Sequence, residues 1–282
     1  MGIALACLLG QVGTPGGGFA LAYGPVNAEG ANARPYSGPA LPQGQNAVRT
    51  PIPVARIADM LENPGAQYDF NGKRCTYPDI RVIYWAGGNP FHHHQDLNRL
   101  LRAWRKPDTV IVNEQYWNAN ARMADIVLPA TTMLERDDIG STSRDRFMIA
   151  MKRAIDPVGD ARDDYEIFSA LAERLGAKER FTEGRSAAGW LRHLYDEARV
   201  RARKFDLELP AFEAFWSEGY IEMPPPDEPA VMLGAYRADP AANPLPTPSG
   251  KIEIFSSTIA SFGYDDCAGH PAWYEPAEWL GA

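Results

Sequence analysis

The chain has 282 residues, of which 45% are hydrophobic and 23% charged, and its formal net charge is −8. This balance is typical of a globular protein with one large or two small domains. It argues against nucleic-acid binding, which needs clustered Lys and Arg. No stretch approaches the roughly 20 apolar residues of a membrane span, so no membrane span is predicted in this chain.

Three cysteines, Cys7, Cys75 and Cys267, lie far apart and form no CxxC pair. An odd number of isolated cysteines argues against both a disulfide framework and a structural zinc site. Reduced thiols favour the cytoplasm over the periplasm, and any leader would lie upstream of this chain.

The first predicted segment, residues 1–53, combines a short apolar run with a stretch rich in Gly and Pro. The apolar run "MGIALACLLG" has no basic residues before it, which is unlike a signal peptide. It predicts the end of a buried helix that stops at Gly10 or Gly13. Residues 14–53 predict a long irregular segment, because Gly and Pro interrupt helices and strands.

The second predicted segment, residues 54–204, is an α/β domain. Its apolar spacing predicts helices at 54–65, 94–106, 163–176 and 187–204, and strands at 80–87, 109–117 and 124–132. A strand, a helix and a second strand within about 35 residues predict a βαβ unit and a Rossmann-like parallel sheet. Residues 205–282, rich in Pro and aromatic residues, predict an irregular arm with one strand at 250–256.

Two predicted strands end in residues suited to a ligand. Gly87 and Gly88 follow the first strand, and Asn113 and Glu114 end the second. Ligands of such sheets bind at the carboxyl ends of the strands, where glycine allows close approach and an acid can bind ribose or guanine. However, neither GxGxxG nor a P-loop is present. The pattern leaves a nucleotide site and a plain turn equally open.

Three consecutive histidines, His92, His93 and His94, follow the glycines. Neighbouring residues of a helix point about 100° apart, so the three cannot reach one metal ion. His94 and Asn98 have i, i+4 spacing, but Asn is a poor ligand for a transition metal. We interpret the run as the start of a helix, with an imidazole available to a phosphate.

Two charged segments after the third strand each allow two interpretations. Arg136 is suited to clamp a phosphate, but it could equally form a surface ion pair with Glu135 or Asp137. Asp163 is suited to cap a helix, and Asp164 lies in its first turn. A carboxylate can also bind guanine, although capping alone explains an acid here. No nucleophile motif occurs, so no catalytic residue is predicted.

The segments "YWAGGNPFHHHQDLNRL", "ARMADIVLPATTMLERDDIG" and "TPSGKIEIFS" together resemble molybdopterin oxidoreductases of the dimethyl sulfoxide (DMSO) reductase family. The resemblance covers essentially the whole chain. It is strongest to the branch that reduces biotin sulfoxide, DMSO and trimethylamine N-oxide (TMAO). It implies the fold of domains 1–3 of DMSO reductase and formate dehydrogenase.

The resemblance implies a molybdenum held by two molybdopterin guanine dinucleotides, Mo-bis-MGD, which takes an oxygen atom from an S- or N-oxide. It implies that one dinucleotide contacts Gly87, Gly88, Asn89, His93, Glu114, Arg136 and Asp164. For Asp164, the resemblance favours a contact with guanine over helix capping alone. It names neither a metal ligand nor a catalytic residue in this chain, because the serine ligand belongs to a more N-terminal part of the family.

The resemblance also implies that this chain is the central portion of a longer enzyme. Its partners would then be the N- and C-terminal domains of that enzyme, an unidentified electron donor and a small S- or N-oxide. The alternative is a non-catalytic nucleotide-binding or interaction module, should 282 residues be the natural length. A relative of formate dehydrogenase is a weaker third hypothesis.

Overall fold

A computed structural model describes residues 1–19, 36, 38–142, 146–224 and 231–275. The chain divides into two compact units. The smaller unit contains residues 1–32, 69–74 and 225–282, and the larger unit contains residues 33–68 and 75–224. No helix within the described ranges is long and apolar enough to cross a membrane.

The strands of the described residues form three small sheets. They are β1 Gln67–Phe70, β2 Lys73–Thr76, β3 Val82–Ala86, β4 Thr109–Glu114, β5 Ile126–Pro129, β6 Asp138–Ser141, β7 Phe147–Met151 and β8 Tyr220–Glu222. The first two strands pair with each other, and the others form the sheets β3-β4-β5 and β6-β7-β8.

The helices are mostly short, and the longest belong to the larger unit. They are α1 Gly2–Leu8, α2 Ile57–Glu62, α3 Pro90–His93, α4 Leu97–Ala103, α5 Ala119–Arg122, α6 Asp164–Arg174, α7 Lys178–Thr182, α8 Ala187–Arg203, α9 Phe212–Glu218, α10 Gly234–Ala238 and α11 Ser257–Ser261. A short 3₁₀ turn at Val54–Arg56 leads into α2.

The sheet β3-β4-β5 is parallel, with β4 in the centre. Tyr84 and Trp85 are consecutive in β3 and therefore face opposite sides of the sheet. The ring of Trp85 packs 5.6 Å from that of Trp104, at the end of α4. The ring of Tyr84 lies 5.4 Å from that of Phe168 in α6. Helices thus cover both faces, and the predicted α/β architecture with a parallel sheet is confirmed.

The sheet β6-β7-β8 is antiparallel and packs against α8 and α9. Its core contains the fully buried side chains Met148, Tyr195 and Phe215. The larger unit therefore extends to residue 224, so α9 and β8 belong with the α/β elements. The predicted division into 1–53, 54–204 and 205–282 concerns the domains of the whole protein and stays a prediction.

Two predicted elements differ in the structure. The predicted helix at 94–106 begins only at Leu97, because Asp96 has a positive φ of 40° and its carboxylate caps the Arg99 amide at 3.0 Å. His94 and Asn98 therefore do not share a helix. The predicted strand at 250–256 is wrong. The Gly250 carbonyl accepts a hydrogen bond from the Leu245 amide, and the Ser256 amide donates one to the Gly269 carbonyl. Leu245 and Gly269 both lie in loops, so these hydrogen bonds do not pair the segment with a strand.

The N-terminal prediction is partly correct. A helix forms at Gly2–Leu8 and ends before Gly10, but Leu8 is 77% exposed and only Ala6 is buried. The prediction of a buried helix is therefore wrong for the described chain. Of the predicted irregular segment, residues 14–19 and 38–53 contain no helix or strand. Its residues 20–35 and 37 lie outside the described ranges.

Candidate functional site

Three strand ends meet at the carboxyl edge of the parallel sheet. Ala86 is level with Asn113, and Glu114 is level with Pro129. Gly87 therefore follows β3 at the height of Glu114. Polar groups from two βα connections reach this edge, which is where doubly wound sheets bind ligands.

A single backbone bridge brings a fourth segment to the same edge. Ala130, just after β5, pairs in parallel with Arg162. The Arg162 amide donates to the Pro129 carbonyl at 3.1 Å, and the Thr131 amide donates to the Arg162 carbonyl at 3.0 Å. Since Asp164 begins α6 two residues later, its carboxylate arrives beside the strand ends.

The loop after β3 depends on two glycines with positive φ, 85° at Gly87 and 76° at Gly88. A Cβ added to Gly87 would meet no atom within 4 Å, so backbone conformation rather than crowding requires glycine there. Asn89 then caps α3, because its Oδ1 accepts from the Phe91 amide at 3.0 Å. The loop leaves open space beside Gly87 for a ligand.

The histidines surround the end of α3. His93 is its last residue, and His94 has an extended backbone. The rings of His93 and His94 lie 5.2 Å apart, and His92 and His93 are exposed. Burial, assisted by the charge of His93, lowers the pKa of His94 and favours its neutral form. Among the described residues, no group of three or more His, Cys, Asp or Glu is arranged to hold a metal ion.

Asp163 precedes α6 and Asp164 begins it, and their carboxylates have different hydrogen-bond partners. Asp163 is the cap, because its Oδ1 accepts from the Glu166 amide at 2.7 Å. Asp164 does not cap, and its Oδ1 accepts instead from Nδ2 of Asn113 at 2.8 Å. Asn113 in turn accepts from the Tyr84 hydroxyl at 2.7 Å. Capping therefore does not explain the acid at position 164.

The Arg136 side chain is held at this edge by a backbone carbonyl. Its Nη1 donates to the Thr131 carbonyl at 2.9 Å, and the same carbonyl accepts from Nε2 of Gln115 at 3.0 Å. The proposed surface pairing with Glu135 or Asp137 is wrong, because the ion-pair partner is Asp138 at 3.5 Å. Glu135 and Asp137 bond instead to backbone amides.

Glu114 at the end of β4 is only lightly engaged. Its Oε1 accepts from the amide of Gln115 at 3.1 Å, and its side chain is partly exposed. Within the described chain, none of the predicted site residues hydrogen-bonds directly to another. Asn113, Gln115 and Thr131 link them to the sheet, and only Asn113 carried a signal in the sequence, as a polar residue at a strand end.

Two buried polar side chains that follow β4 and β5 have no hydrogen-bond partner among the described residues. Asn120, in the helix that follows β4, is fully buried and neither its nitrogen nor its oxygen is hydrogen-bonded. The Thr131 hydroxyl, just beyond β5, is likewise buried and unpaired. Such groups are costly unless a partner is supplied, and a sequence contains no signal for them.

A parallel sheet with helices on both faces places the larger unit in the α/β class. A family model described as "Molybdopterin oxidoreductase" matches residues 1–174. The chain belongs to this family, and the resemblance to its DMSO reductase members is confirmed.

Two relatives match along the chain. Biotin sulfoxide reductase of Cereibacter sphaeroides is 50% identical, over 99% of this chain and 38% of that protein. Dimethyl sulfoxide/trimethylamine N-oxide reductase of Rhodobacter capsulatus is 48% identical, over 99% of this chain and 35% of that protein. The chain thus spans little more than a third of these relatives. The solved structure of acetylene hydratase from Pelobacter acetylenicus aligns with a TM-score of 0.46 and 24% identity, covering 72% of this chain and 25% of that one.

Proposed function

We propose that this chain is part of a molybdenum-dependent reductase that takes an oxygen atom from an S- or N-oxide. The family membership supports a molybdenum-pterin cofactor. The names of both relatives support a sulfoxide or N-oxide as substrate. The reaction consumes two electrons and two protons and releases water, with the electrons coming from a donor that remains to be identified.

We also propose that the carboxyl edge of the parallel sheet binds the nucleotide end of one guanine dinucleotide of Mo-bis-MGD. One observation carries this proposal: the carboxylate of Asp164 is held at the edge by Asn113, while Asp163 alone performs the capping. Guanine presents N1–H and N2–H₂ as adjacent donors, which a carboxylate accepts.

The loop after β3 fits such a group, because the position beside Gly87 is open. When bound, the cofactor supplies the two-electron chemistry of oxygen-atom transfer. The resemblance assigns the metal ligand to another part of the longer protein, and we keep that assignment as a proposal.

Each predicted residue has a role suited to its position. Glu114 would accept from ribose hydroxyls at the end of β4. Arg136 and His93 would bind phosphate oxygens, and the Gly87 and Gly88 backbone would let the phosphates approach. These residues bind and orient the cofactor, and none of them takes part in the chemical step.

The test uses the full-length protein as purified. We would measure molybdenum and GMP released by acid hydrolysis in the wild type, in Asp164→Ala and in the matched variant Asp163→Ala. We expect Asp164→Ala to lose most of both, and Asp163→Ala to keep them because only a helix cap is removed. Equal cofactor content in all three proteins would refute the guanine-binding role of Asp164.

Activity separates this proposal from the alternative of a non-catalytic module. Full-length protein should reduce biotin sulfoxide, DMSO or TMAO with a chemically reduced dye as electron donor. The module would be supported instead by a gene whose reading frame starts and stops at the termini of this chain. Its product would bind GDP but no molybdenum.

A further inference from the structure

Asn113 occupies the middle of a short hydrogen-bonded chain that leads to Asp164. It lies in the central strand β4, paired with Ala86 on one side and Leu128 on the other, so its backbone is fixed. Its side chain is only 5% exposed. Both ends of its amide are engaged, with Tyr84 at 2.7 Å and Asp164 at 2.8 Å.

The direction of this chain is set by Tyr84. Burial raises the pKa of Tyr84, so its phenol is protonated and donates to Oδ1 of Asn113. The amide nitrogen must then face Asp164, and an amide N–H can only donate. Asp164 is therefore held as a hydrogen-bond acceptor through Oδ1. No described residue donates a hydrogen bond to its Oδ2.

We propose that Asn113, oriented by Tyr84, is a positioning residue that fixes the Asp164 carboxylate as the acceptor for guanine and so sets the preference for guanine over adenine. The inference rests on the proposed function. Guanine offers two adjacent donors to a carboxylate. Adenine offers one donor beside an acceptor nitrogen, and a fixed carboxylate oxygen is repelled by that nitrogen. Asn113 itself does not touch the nucleotide.

The preference between bases distinguishes positioning from a purely structural role. A destabilised site would lose affinity for every nucleotide, whereas a misplaced carboxylate changes the ratio between bases. We would measure binding of GDP and ADP by calorimetry to the full-length protein prepared without its cofactor. The variants are Asn113→Leu and Tyr84→Phe, with Tyr165→Phe as a matched control. Among the described residues, the Tyr165 hydroxyl bonds to Trp190 and the Arg185 carbonyl, and not to Asn113 or Asp164.

We expect the wild type and Tyr165→Phe to prefer GDP. Asn113→Leu should reduce that preference about tenfold, the usual loss for one hydrogen bond to a charged group. Tyr84→Phe should reduce it less, because the amide keeps its bond to Asp164 but loses the hydroxyl that fixes its orientation.

The outcomes separate the two proposals. A wild type that binds neither nucleotide, or prefers neither, refutes the proposed guanine site and this inference with it. A wild-type preference that Asp164→Ala abolishes, but that Asn113→Leu and Tyr84→Phe both retain, overturns the positioning role alone. Should circular dichroism find Asn113→Leu unfolded, the ratio for Tyr84→Phe decides between the same two results.

Discussion

The two larger sheets of the protein use their residues differently. The parallel sheet β3-β4-β5 ends in a polar edge where Asn113 and Asp164 are linked. The antiparallel sheet β6-β7-β8 instead backs an aromatic core, in which Tyr195 and Phe215 stack with their centroids 4.7 Å apart and their planes within 1°. Burial raises the pKa of Tyr195 to about 12, so this ring is neutral throughout the physiological range. The comparison teaches that the proposed ligand site and the aromatic core belong to separate sheets.

The strongest test of this separation removes the core aromatic. Phe215→Ala should destabilise the chain by about 3–5 kcal/mol, because a fully buried ring leaves a cavity. Its preference for GDP over ADP should stay unchanged. Leu175→Ala is the control, since Leu175 is 81% exposed and should cost little. Urea unfolding gives the free energies, and a changed base preference in Phe215→Ala would break the comparison.

A second test concerns Glu135, which accepts hydrogen bonds from Thr132, just after β5, and from Val158, just before the bridge at Arg162. Hydrogen bonds from the Thr132 amide, the Val158 amide and the Thr132 hydroxyl lower the pKa of Glu135 from its ordinary value of 4.5. Glu135→Gln should therefore be less stable than the wild type at pH 7, since the ionised acceptor is lost.

The sign of the pH dependence follows from that lowered pKa. The stability due to Glu135 is complete above the unfolded value and disappears as the pH falls through the folded one. Unfolding curves of wild type and Glu135→Gln should thus converge below pH 4.5. A difference that stays constant from pH 7 down to pH 3 would contradict the role of the carboxylate.

A third test addresses the strand-end loop. Gly87→Ala should cost about 1–2 kcal/mol, because alanine is strained at a φ of 85° even though the space is open. Gly189→Ala is the matched control. Gly189 is helical, and its added Cβ would lie 3.4 Å from the Ser186 hydroxyl, an ordinary contact. It should stabilise by about 0.5–1 kcal/mol. Thermal unfolding of both variants should give shifts of opposite sign.

The smallest expected effect sharpens the division between the two aspartates. Asp163→Ala should cost about 1 kcal/mol, the usual loss for a helix cap. It should leave the preference for GDP unchanged, because Asp164 keeps its bond to Asn113. Nucleotide titrations of Asp163→Ala and Asp164→Ala side by side measure this. An equal loss of base preference in both variants would show that the preference depends on the capped start of α6 and not on the Asp164 carboxylate in particular.

The elements with strong local patterns were predictable from the sequence. The strands β3, β4 and β5 and their parallel order follow from βαβ spacing, and α6 follows from its capping aspartate. The pairing of β7 with β8 has no local signal, because about 70 residues of sequence separate the two strands. The strand predicted at 250–256 failed for the same reason: a strand needs a partner, and the local pattern does not provide one.

The candidate site was predictable at the level of its edge but not of its contacts. Glycines and acids at strand ends indicate where ligands bind, and the structure brings Gly87, Glu114 and Asp164 to one edge. The link from Tyr84 through Asn113 to Asp164 consists of two hydrogen bonds that span 29 and 51 positions of sequence. Since a hydrogen bond between distant side chains has no sequence periodicity, only the fold reveals it.

The bridge between Ala130 and Arg162 also affects how this protein can evolve. Both hydrogen bonds that bring α6 to the edge are made by the backbone of residue 162, whose side chain is exposed. Substitutions there leave the placement of Asp164 intact, with one exception. Proline has no N–H to donate to Pro129 and would detach the segment. Proline at position 162 is therefore the substitution expected to displace Asp164, whereas residues that keep their N–H preserve both backbone hydrogen bonds.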